Sequence, residues 1–167
     1  MHLLDGSIDS DILSLLVESS KANFSLLLSY GDMLKQKNIN SVLILGLSSK
    51  GYKKNVKMSG SILLAEYLNQ NDINIYIHDP FFEDDEINKL LPFAKVEKFT
   101  EPIKADAILL MADHRFYSTL SQNQLEELGF KEVKIIIDNT GILKYFDFGK
   151  KVLYHFIGDN NLIRLEE

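Results

Sequence analysis

The stretch from Ser41 to Asp79 decides the fold: "SVLILGLSSKGYKKNVKMSGSILLAEYLNQNDINIYIHD". It begins with a short apolar run, "SVLILGL", which is typical of a strand covered on both faces. A polar loop follows, then a segment of helical periodicity from about Ser59, and then a second apolar run from Ile73. Strand, loop, helix and strand in this order indicate a βαβ unit with two parallel strands.

The same alternation continues along the rest of the chain. Further strands are expected in "KVEKF", "ADAILLM", "EVKIIID" and "KVLYHFIG", and further helices in "EDDEINKLLPFA" and "SQNQLEELGF". We therefore predict an α/β fold, namely a Rossmann-like, doubly wound and mostly parallel sheet of five to six strands with helices on both faces.

The N-terminal region has a different pattern. The segment "SDILSLLVESSKANFSLLLSYGDMLKQKN" contains no proline and carries apolar residues three and four positions apart, which predicts a long amphipathic helix. Such a helix, about 42 Å long, is too long to lie wholly on a small domain. We expect it either to break near Ser19 and Ser20 or to project and pair with another chain. The predicted organisation is a helical arm over residues 1–39 and an α/β domain over residues 40–167.

The composition excludes several classes of protein. The chain has 167 residues, a formal net charge of −6 and no cysteine, so it has no disulfide framework, thiolate metal site or cysteine nucleophile. General nucleic-acid binding requires broad basic surfaces, which an acidic chain lacks. The longest apolar run is far shorter than the ~20 residues that cross a bilayer, and the N-terminus does not resemble a signal peptide. We predict a cytoplasmic protein that binds neither nucleic acid nor membrane.

Polar clusters follow four of the predicted strands, at residues 48–57, 78–80, 113–114 and 138–140. In parallel sheets ligands bind outside the carboxyl ends of the strands, which predicts a small-ligand cleft at this edge. The first cluster contains four lysines, Lys50, Lys53, Lys54 and Lys57. Positive charge before a helix N-terminus is typical of an anion site, and a merely solvated loop is the alternative.

Two common phosphate motifs are excluded. Gly46 and Gly51 resemble part of a nucleoside-triphosphatase P-loop, but Tyr52 and Lys53 stand where that motif needs lysine and then serine or threonine. The dinucleotide motif G-x-G-x-x-G is absent from the chain. The four histidines do not form a spaced metal motif either, so we predict no metal site.

Two other candidates have alternative interpretations. Asp79 ends the second strand, where an acidic residue binds ribose hydroxyls in dinucleotide-binding folds, but Asp followed by Pro80 is also common in turns. Asp113 and His114 follow the fourth strand and could perform acid–base chemistry. Because no nucleophile or second carboxylate accompanies them, we interpret His114 as a helix-capping or ligand-lining residue.

These segments together resemble the C-terminal domain of the UDP-glucose/GDP-mannose dehydrogenases, over about residues 41–158. The family's stretch G-L-A-F-K-P-x-T-D-D-x-R-x-S-P and its strand ending Y-D-P are matched at Gly46, Leu47, Lys50, Ser59, Asp79 and Pro80. The segments "ADAILLMADH", "IIIDNTGIL" and "YHFIG" resemble three later family segments in the same order. The preceding helix resembles the end of the family's central region, where subunits dimerise.

The resemblance implies a function. The complete enzymes of that family use NAD to oxidise the C6 hydroxyl of a nucleotide sugar, with NAD on an N-terminal domain and a catalytic cysteine in the central region. This chain has neither the NAD motif nor a cysteine. It is therefore expected to be the UDP-sugar-binding part of an NAD-dependent UDP-sugar/GDP-mannose 6-dehydrogenase, with no catalytic residue and no cofactor of its own. A homodimer through the N-terminal helix and a separate NAD-binding catalytic chain are the implied partners.

The resemblance also implies a set of binding residues: Ser49, Lys50, Lys57, Asp79, Asp138 and Thr140. In the family the loop lysine, here Lys50, contacts the nucleotide end of the substrate. Several positions depart from the family pattern, since Ser49 replaces a common Phe, Lys57 replaces Arg, and Thr140 stands where Arg is common. These departures support a second hypothesis, a non-catalytic dimerisation or interaction module that keeps the fold but not the ligand. A third is an independent enzyme using Asp113 and His114.

Overall fold

The computed structural model of the protein describes residues 10–156. Within this range one six-stranded sheet forms the centre of the molecule. Its strands are β1 (Ser41–Leu45), β2 (Asn74–His78), β3 (Lys95–Val96), β4 (Ala107–Leu110), β5 (Ile135–Asp138) and β6 (Leu153–Phe156). All neighbouring strands are parallel, and their order across the sheet is β3-β2-β1-β4-β5-β6. The predicted Rossmann-like fold is confirmed, with every strand pair parallel.

The strand order places a crevice in the middle of the sheet. From β1 the chain moves outward through β2 to β3, then returns to β4 beside β1 and moves outward the other way. The connections on the two sides of this reversal lead away from each other, which opens a space at the carboxyl ends of β1 and β4. The position of the predicted cleft therefore follows from the topology.

Helices cover both faces of the sheet: α1 (Ser10–Gln36), α2 (Gly60–Gln70), α3 (Asp84–Leu90), α4 (Arg115–Ser118) and α5 (Gln122–Glu127). Successive strand residues point to opposite faces, so Val42 and Ile44 pack with α1, α2 and α3. Leu43 and Leu45 pack on the other face with α4, α5 and the segment before β6. Because β1 is buried on both faces, its sequence is continuously apolar.

The helix ends follow the sequence signals. Ser59 caps α2, its hydroxyl accepting from the Ile62 N–H (3.4 Å) and donating to the Leu47 carbonyl (2.6 Å). The start of α2 is thereby tied to the end of β1. Ser121 opens α5 with a capping box, and Gly129 follows that helix with a φ of 81°, which glycine adopts without strain.

The first helix is continuous from Ser10 to Gln36, so the expected break near Ser19 and Ser20 is absent. Its last turns belong to the core, because Tyr30 and Leu34 are fully buried with residues of α2 and the sheet. A side chain at Gly31 would come within 2.6 Å of the Tyr67 ring, so glycine here allows α1 and α2 to approach closely. The division at residue 39/40 stays a prediction. Among residues 10–156, no helix has the length and apolar character needed to cross a bilayer.

Candidate functional site

A cleft opens at the carboxyl edge of the sheet, where β1, β4 and β5 end. One part, of about 590 Å³, lies between α1, the loop after β1 and the start of α2; we call it the helical lobe. A second part, of about 420 Å³, lies between that loop and the ends of β4 and β5; we call it the lysine lobe. Ser49, Met111 and Asn139 line both lobes, which therefore adjoin at this edge.

The lysine loop, residues 48–59, separates the two lobes. It is closed internally, because the Ser49 N–H donates to the Asn55 carbonyl (2.8 Å) and the Lys57 N–H donates to the Asn55 side-chain oxygen (2.9 Å). Lys50 lines the lysine lobe. Lys57 is exposed on the loop and lines neither lobe.

Lys54 points away from the cleft toward α3. It forms an ion pair with Glu86 and lies over the ring of Phe82, 5.1 Å from the ring centroid. The hydrogen bond from Lys54 lowers the pKa of the Glu86 carboxyl. One of the four clustered lysines is thus neutralised by an acidic residue of the protein itself. The two residues are far apart in the sequence, so the sequence alone did not indicate this ion pair.

The lysine loop is also fixed to the corner that follows β4. The Gly51 N–H donates to Oδ1 of Asp113 (2.9 Å), and the Tyr52 N–H donates to Nδ1 of His114 (3.4 Å). A Cβ atom at Gly51 would lie 2.3 Å from Oδ1 of Asp113, so a larger residue cannot occupy this position unchanged. The glycine that resembles part of a phosphate motif is therefore explained by this close approach.

Asp79 lies buried beneath the loop, with 3% of its surface exposed. Its Oδ2 accepts from the Leu47 N–H (2.7 Å), the Ser48 N–H (3.1 Å) and Nε2 of His114 (3.2 Å), and its Oδ1 accepts from the Phe81 N–H (2.9 Å). Burial acts to raise the pKa of Asp79, but the hydrogen bonds from His114, Phe81 and Leu47 outweigh it and lower that pKa. The carboxylate thus joins the ends of β1, β2 and β4.

His114 is held by both ring nitrogens. Because Nδ1 accepts from the Tyr52 N–H, the proton of the neutral ring is assigned to Nε2, which donates to Asp79. The side chain is fully buried, and the ring of Phe81 lies 5.0 Å away between centroids. His114 precedes α4 without a side-chain capping bond. This arrangement gives no support to acid–base chemistry by Asp113 and His114 on a ligand.

A second buried pair supports the same corner. The Tyr117 hydroxyl donates to the His78 carbonyl (2.8 Å) and lies 3.0 Å from Nδ1 of His78, from which it accepts. Burial lowers the pKa of His78 to about 4, so its ring is neutral near pH 7. Burial likewise raises the pKa of Tyr117 well above its ordinary value.

Asp138, at the end of β5, is fully buried and shapes the next turn. Its Oδ1 accepts from the Thr140 N–H (3.0 Å), the Thr140 hydroxyl (2.7 Å) and the Gly141 N–H (2.7 Å). Its Oδ2 accepts from the Leu143 N–H (2.8 Å) and the Tyr154 hydroxyl (2.8 Å). The carboxylate therefore holds the turn from which Thr140 reaches the lysine lobe.

The structure divides the predicted binding residues into three groups. Ser49, Lys50 and Thr140 come together in the lysine lobe, and Lys57 lies outside both lobes. Asp79 and Asp138 lie beneath the cleft, where their carboxylates bind groups of the protein itself. Contact with a ligand stays a prediction for all six residues.

Several lining residues were not among the predicted binding residues. Asp113 and Asn139 line the lysine lobe, and both belong to the polar clusters that the sequence places after β4 and β5. Asn23 and Phe24 of α1 line the helical lobe, which depends on how α1 packs and has no local signal. Ser48 also lines this lobe, and its hydroxyl is buried with no hydrogen-bond partner in the described part of the chain. A buried hydroxyl left unpaired costs about 1–3 kcal/mol.

Comparison with known proteins agrees with this fold. Residues 43–145 match the family model of the UDP binding domain of the UDP-glucose/GDP-mannose dehydrogenase family. The chain is 27% identical, over 104 residues, to the UDP-N-acetyl-D-mannosamine dehydrogenase of Methanococcus aeolicus, a match that covers 61% of this chain and 22% of the relative.

Solved structures extend the likeness. The native UDP-N-acetyl-mannosamine dehydrogenase of Staphylococcus aureus is 25% identical with a TM-score of 0.64, covering 88% of this chain and 34% of that one. The NDP-N-acetyl-D-galactosaminuronic acid dehydrogenase of Methanosarcina mazei, at 20% identity and a TM-score of 0.62, shares the fold over 95% of this chain and 33% of its own. The chain thus spans about a fifth to a third of these relatives. Because the family model covers more than half of its length, the chain belongs to the UDP-glucose/GDP-mannose dehydrogenase family and contains its UDP-binding domain.

Proposed function

We propose that this chain is the nucleotide-sugar-binding part of an NAD-dependent UDP-sugar dehydrogenase. A UDP-sugar binds across the cleft, with its diphosphate beside Lys50. The observation that carries the proposal is the placement of Lys50 in the lysine lobe, at the carboxyl edge where the strand order reverses. Within residues 10–156 this lysine has no acidic partner, whereas Lys54 has one.

The chemistry of the lysine lobe suits a diphosphate. Lys50 supplies a mobile positive charge, Asn139 supplies an amide that can donate, and Ser49 supplies a hydroxyl. Both lobes have volumes within the range of small-molecule sites, which is about 300–1,000 Å³. The adjoining helical lobe therefore offers space for the remainder of a nucleotide sugar beyond its phosphates.

Under this proposal, the oxidation of the sugar takes place outside the UDP-binding domain. The turn after β1 does not suit the pyrophosphate of NAD, since the long segment 46–59 separates β1 from α2 and lacks G-x-G-x-x-G. With no cysteine in the chain, a separate NAD-binding chain or a further part of the protein would supply NAD and the catalytic cysteine. A homodimer through α1 and a cytoplasmic location remain predictions within this proposal.

Calorimetric titration with UDP and UDP-sugars tests the proposal. Lys50→Ala should weaken UDP binding about tenfold or more, because a hydrogen bond to a charged group is worth about 1.5–3 kcal/mol. Lys104→Ala is the matched control; Lys104 is exposed just before β4, at the opposite edge of the sheet, where it pairs with Glu101 at 3.7 Å. Absence of heat at millimolar UDP, or equal affinity of Lys50→Ala and the unaltered protein, would rule the proposal out.

The dimerisation module is the second candidate. It is favoured by the exposure of Phe24 on α1 (46%) and by the engagement of Asp79 and Asp138 with the protein itself. Under this alternative, light scattering shows a dimer that does not bind UDP, and Phe24→Glu dissociates it. Ser25→Glu adds the same charge at a neighbouring exposed position and serves as the control. A monomer at micromolar concentration contradicts this alternative.

A further inference from the structure

Asp113 is the exposed carboxylate of the lysine lobe. It follows β4 and lines the lysine lobe together with Lys50, Asn139 and Thr140. Its Oδ1 accepts from the Gly51 N–H at 2.9 Å. No donor from the described residues contacts its other oxygen, Oδ2, so half of this carboxylate is without a partner among them.

The other two carboxylates at this edge are already satisfied. Asp79 accepts from three N–H groups of the backbone and from His114, and Asp138 accepts from five donors. Either one would have to lose a bond within the protein to accept from a ligand. For Asp79, which lies buried, ribose binding stays a prediction that would require it to give up such a bond.

The charge of Asp113 constrains what the lysine lobe can bind. A carboxylate repels a phosphate, so its presence beside Lys50 is unfavourable for an anion that carries no donors. A ligand with hydroxyl groups next to its phosphates can donate hydrogen bonds to the carboxylate, and these offset the repulsion. Lys50 immediately precedes Gly51, whose N–H binds Asp113, so the cation and the carboxylate are held on adjoining segments. A nucleotide likewise carries its phosphates and its diol on one ribose.

We propose that Oδ2 of Asp113 accepts hydrogen bonds from the ribose hydroxyls of the bound nucleotide. Asp113 thereby selects nucleoside diphosphates that carry a free 2′,3′-diol over deoxyribonucleotides and over plain phosphate anions. This inference rests on the proposed function, because it requires a nucleotide in the lysine lobe. It adds a specificity residue that the predicted binding residues do not contain.

The test compares three probes in calorimetric titrations: UDP, 2′-deoxy-UDP and inorganic pyrophosphate. UDP carries no hexose, so a preference over 2′-deoxy-UDP reports the ribose alone. We expect UDP to bind about ten- to hundredfold more tightly than 2′-deoxy-UDP, since a hydrogen bond to a charged group is lost. In Asp113→Asn the amide oxygen still accepts from the Gly51 N–H, while an amino group replaces Oδ2. In this variant the ratio of the affinity for UDP to that for 2′-deoxy-UDP should fall close to one. Pyrophosphate should bind to it as tightly as to the unaltered protein, or more tightly.

The control is Asp147→Asn. Asp147 is also exposed and its Oδ1 accepts from a glycine N–H, that of Gly149 (2.8 Å), but it lines neither lobe. The control should keep the full preference for UDP. Equal binding of UDP and 2′-deoxy-UDP by the unaltered protein overturns the inference and leaves the proposed function intact. The inference is also overturned if Asp113→Asn weakens the binding of UDP and of pyrophosphate equally and leaves the ratio of UDP to 2′-deoxy-UDP affinity unchanged. In that case Asp113 would only position the loop. If neither UDP nor pyrophosphate binds, the inference and the proposed function both fail.

Discussion

The carboxyl edge of the sheet contains two regions of opposite character. In the buried corner, formed by His78, Asp79, His114 and Tyr117, every side chain is hydrogen-bonded to another member or to the backbone. In the lysine loop the long side chains are exposed, and Tyr52 and Met58 have positive φ angles of 64° and 58°, which non-glycine residues seldom adopt. The two regions touch at the Tyr52 N–H, which donates to His114.

The difference indicates that the two regions have separate roles in stability and in ligand binding. Groups in the buried corner cannot turn toward a ligand without breaking bonds of the protein, so they should determine stability. Groups in the loop have few partners within the protein, so they should determine affinity. Substitutions that separate the free energy of unfolding from the affinity for UDP can test this comparison.

The largest effect is expected for Asp79→Ala. The substitution leaves the N–H groups of Leu47 and Ser48 and the His114 ring without their acceptor. Removing one member of a buried charged network costs about 3–5 kcal/mol. Urea denaturation followed by circular dichroism measures the change, with Asp113→Asn as the exposed counterpart, which should lose less than about 1 kcal/mol. Equal losses in the two variants would contradict the division between corner and loop.

A pH dependence is expected next in size, from His78. Burial holds its folded pKa at about 4, below the ordinary 6.5, so the unfolded chain binds the extra proton first. The contribution of His78 to the free energy of unfolding is fully present above pH 6.5. It is lost as the pH falls toward 4, which lowers the free energy of unfolding by on the order of 2–3 kcal/mol. Unfolding free energies measured across this range should show the slope, and His78→Asn, which keeps a donor for Tyr117, should flatten it. An unchanged slope would refute a buried neutral ring.

The smallest effect on stability, but a clear one on binding, is expected for Gly51→Ala. The added methyl group collides with Asp113. Because of this collision the loop must move, and Lys50 moves with it. We expect UDP affinity to fall about tenfold, equivalent to about 1.4 kcal/mol, with the unfolding free energy lowered by less than that. Lys53→Ala, in the same loop but lining neither lobe, is the control for calorimetry. An unaltered affinity in Gly51→Ala would separate the loop from binding.

Much of the fold could be predicted from the sequence because its signals are local. Alternation of apolar runs and helical periods gave the strands and helices, and Ser59 and Ser121 marked helix starts through hydrogen bonds within a single turn. The polar clusters after the strands located the edge that carries the cleft. These features depend on residues a few positions apart.

The remainder depends on contacts between distant residues. The burial of Asp79 follows from the approach of His114, and the pairing of Lys54 follows from the position of Glu86 on α3. The packing of α1 against α2 requires the space that Gly31 leaves for Tyr67. None of these contacts leaves a pattern within a short window of sequence. The set of binding residues implied by the family resemblance therefore combined cleft-lining side chains with buried ones.

The central position of β1 has a consequence for folding. Its hydrogen-bonding neighbours are β2 on one side and β4 on the other, so Val42 pairs with both Ile75 and Ala107. The second pairing closes a long stretch of chain, and contacts of such sequence separation form slowly because the entropy of closing the loop is lost first. During synthesis β1 therefore stays half unpaired until β4 has emerged from the ribosome. The cleft forms only when this pairing is complete, so a ligand of the cleft would favour the finished sheet over partly folded states.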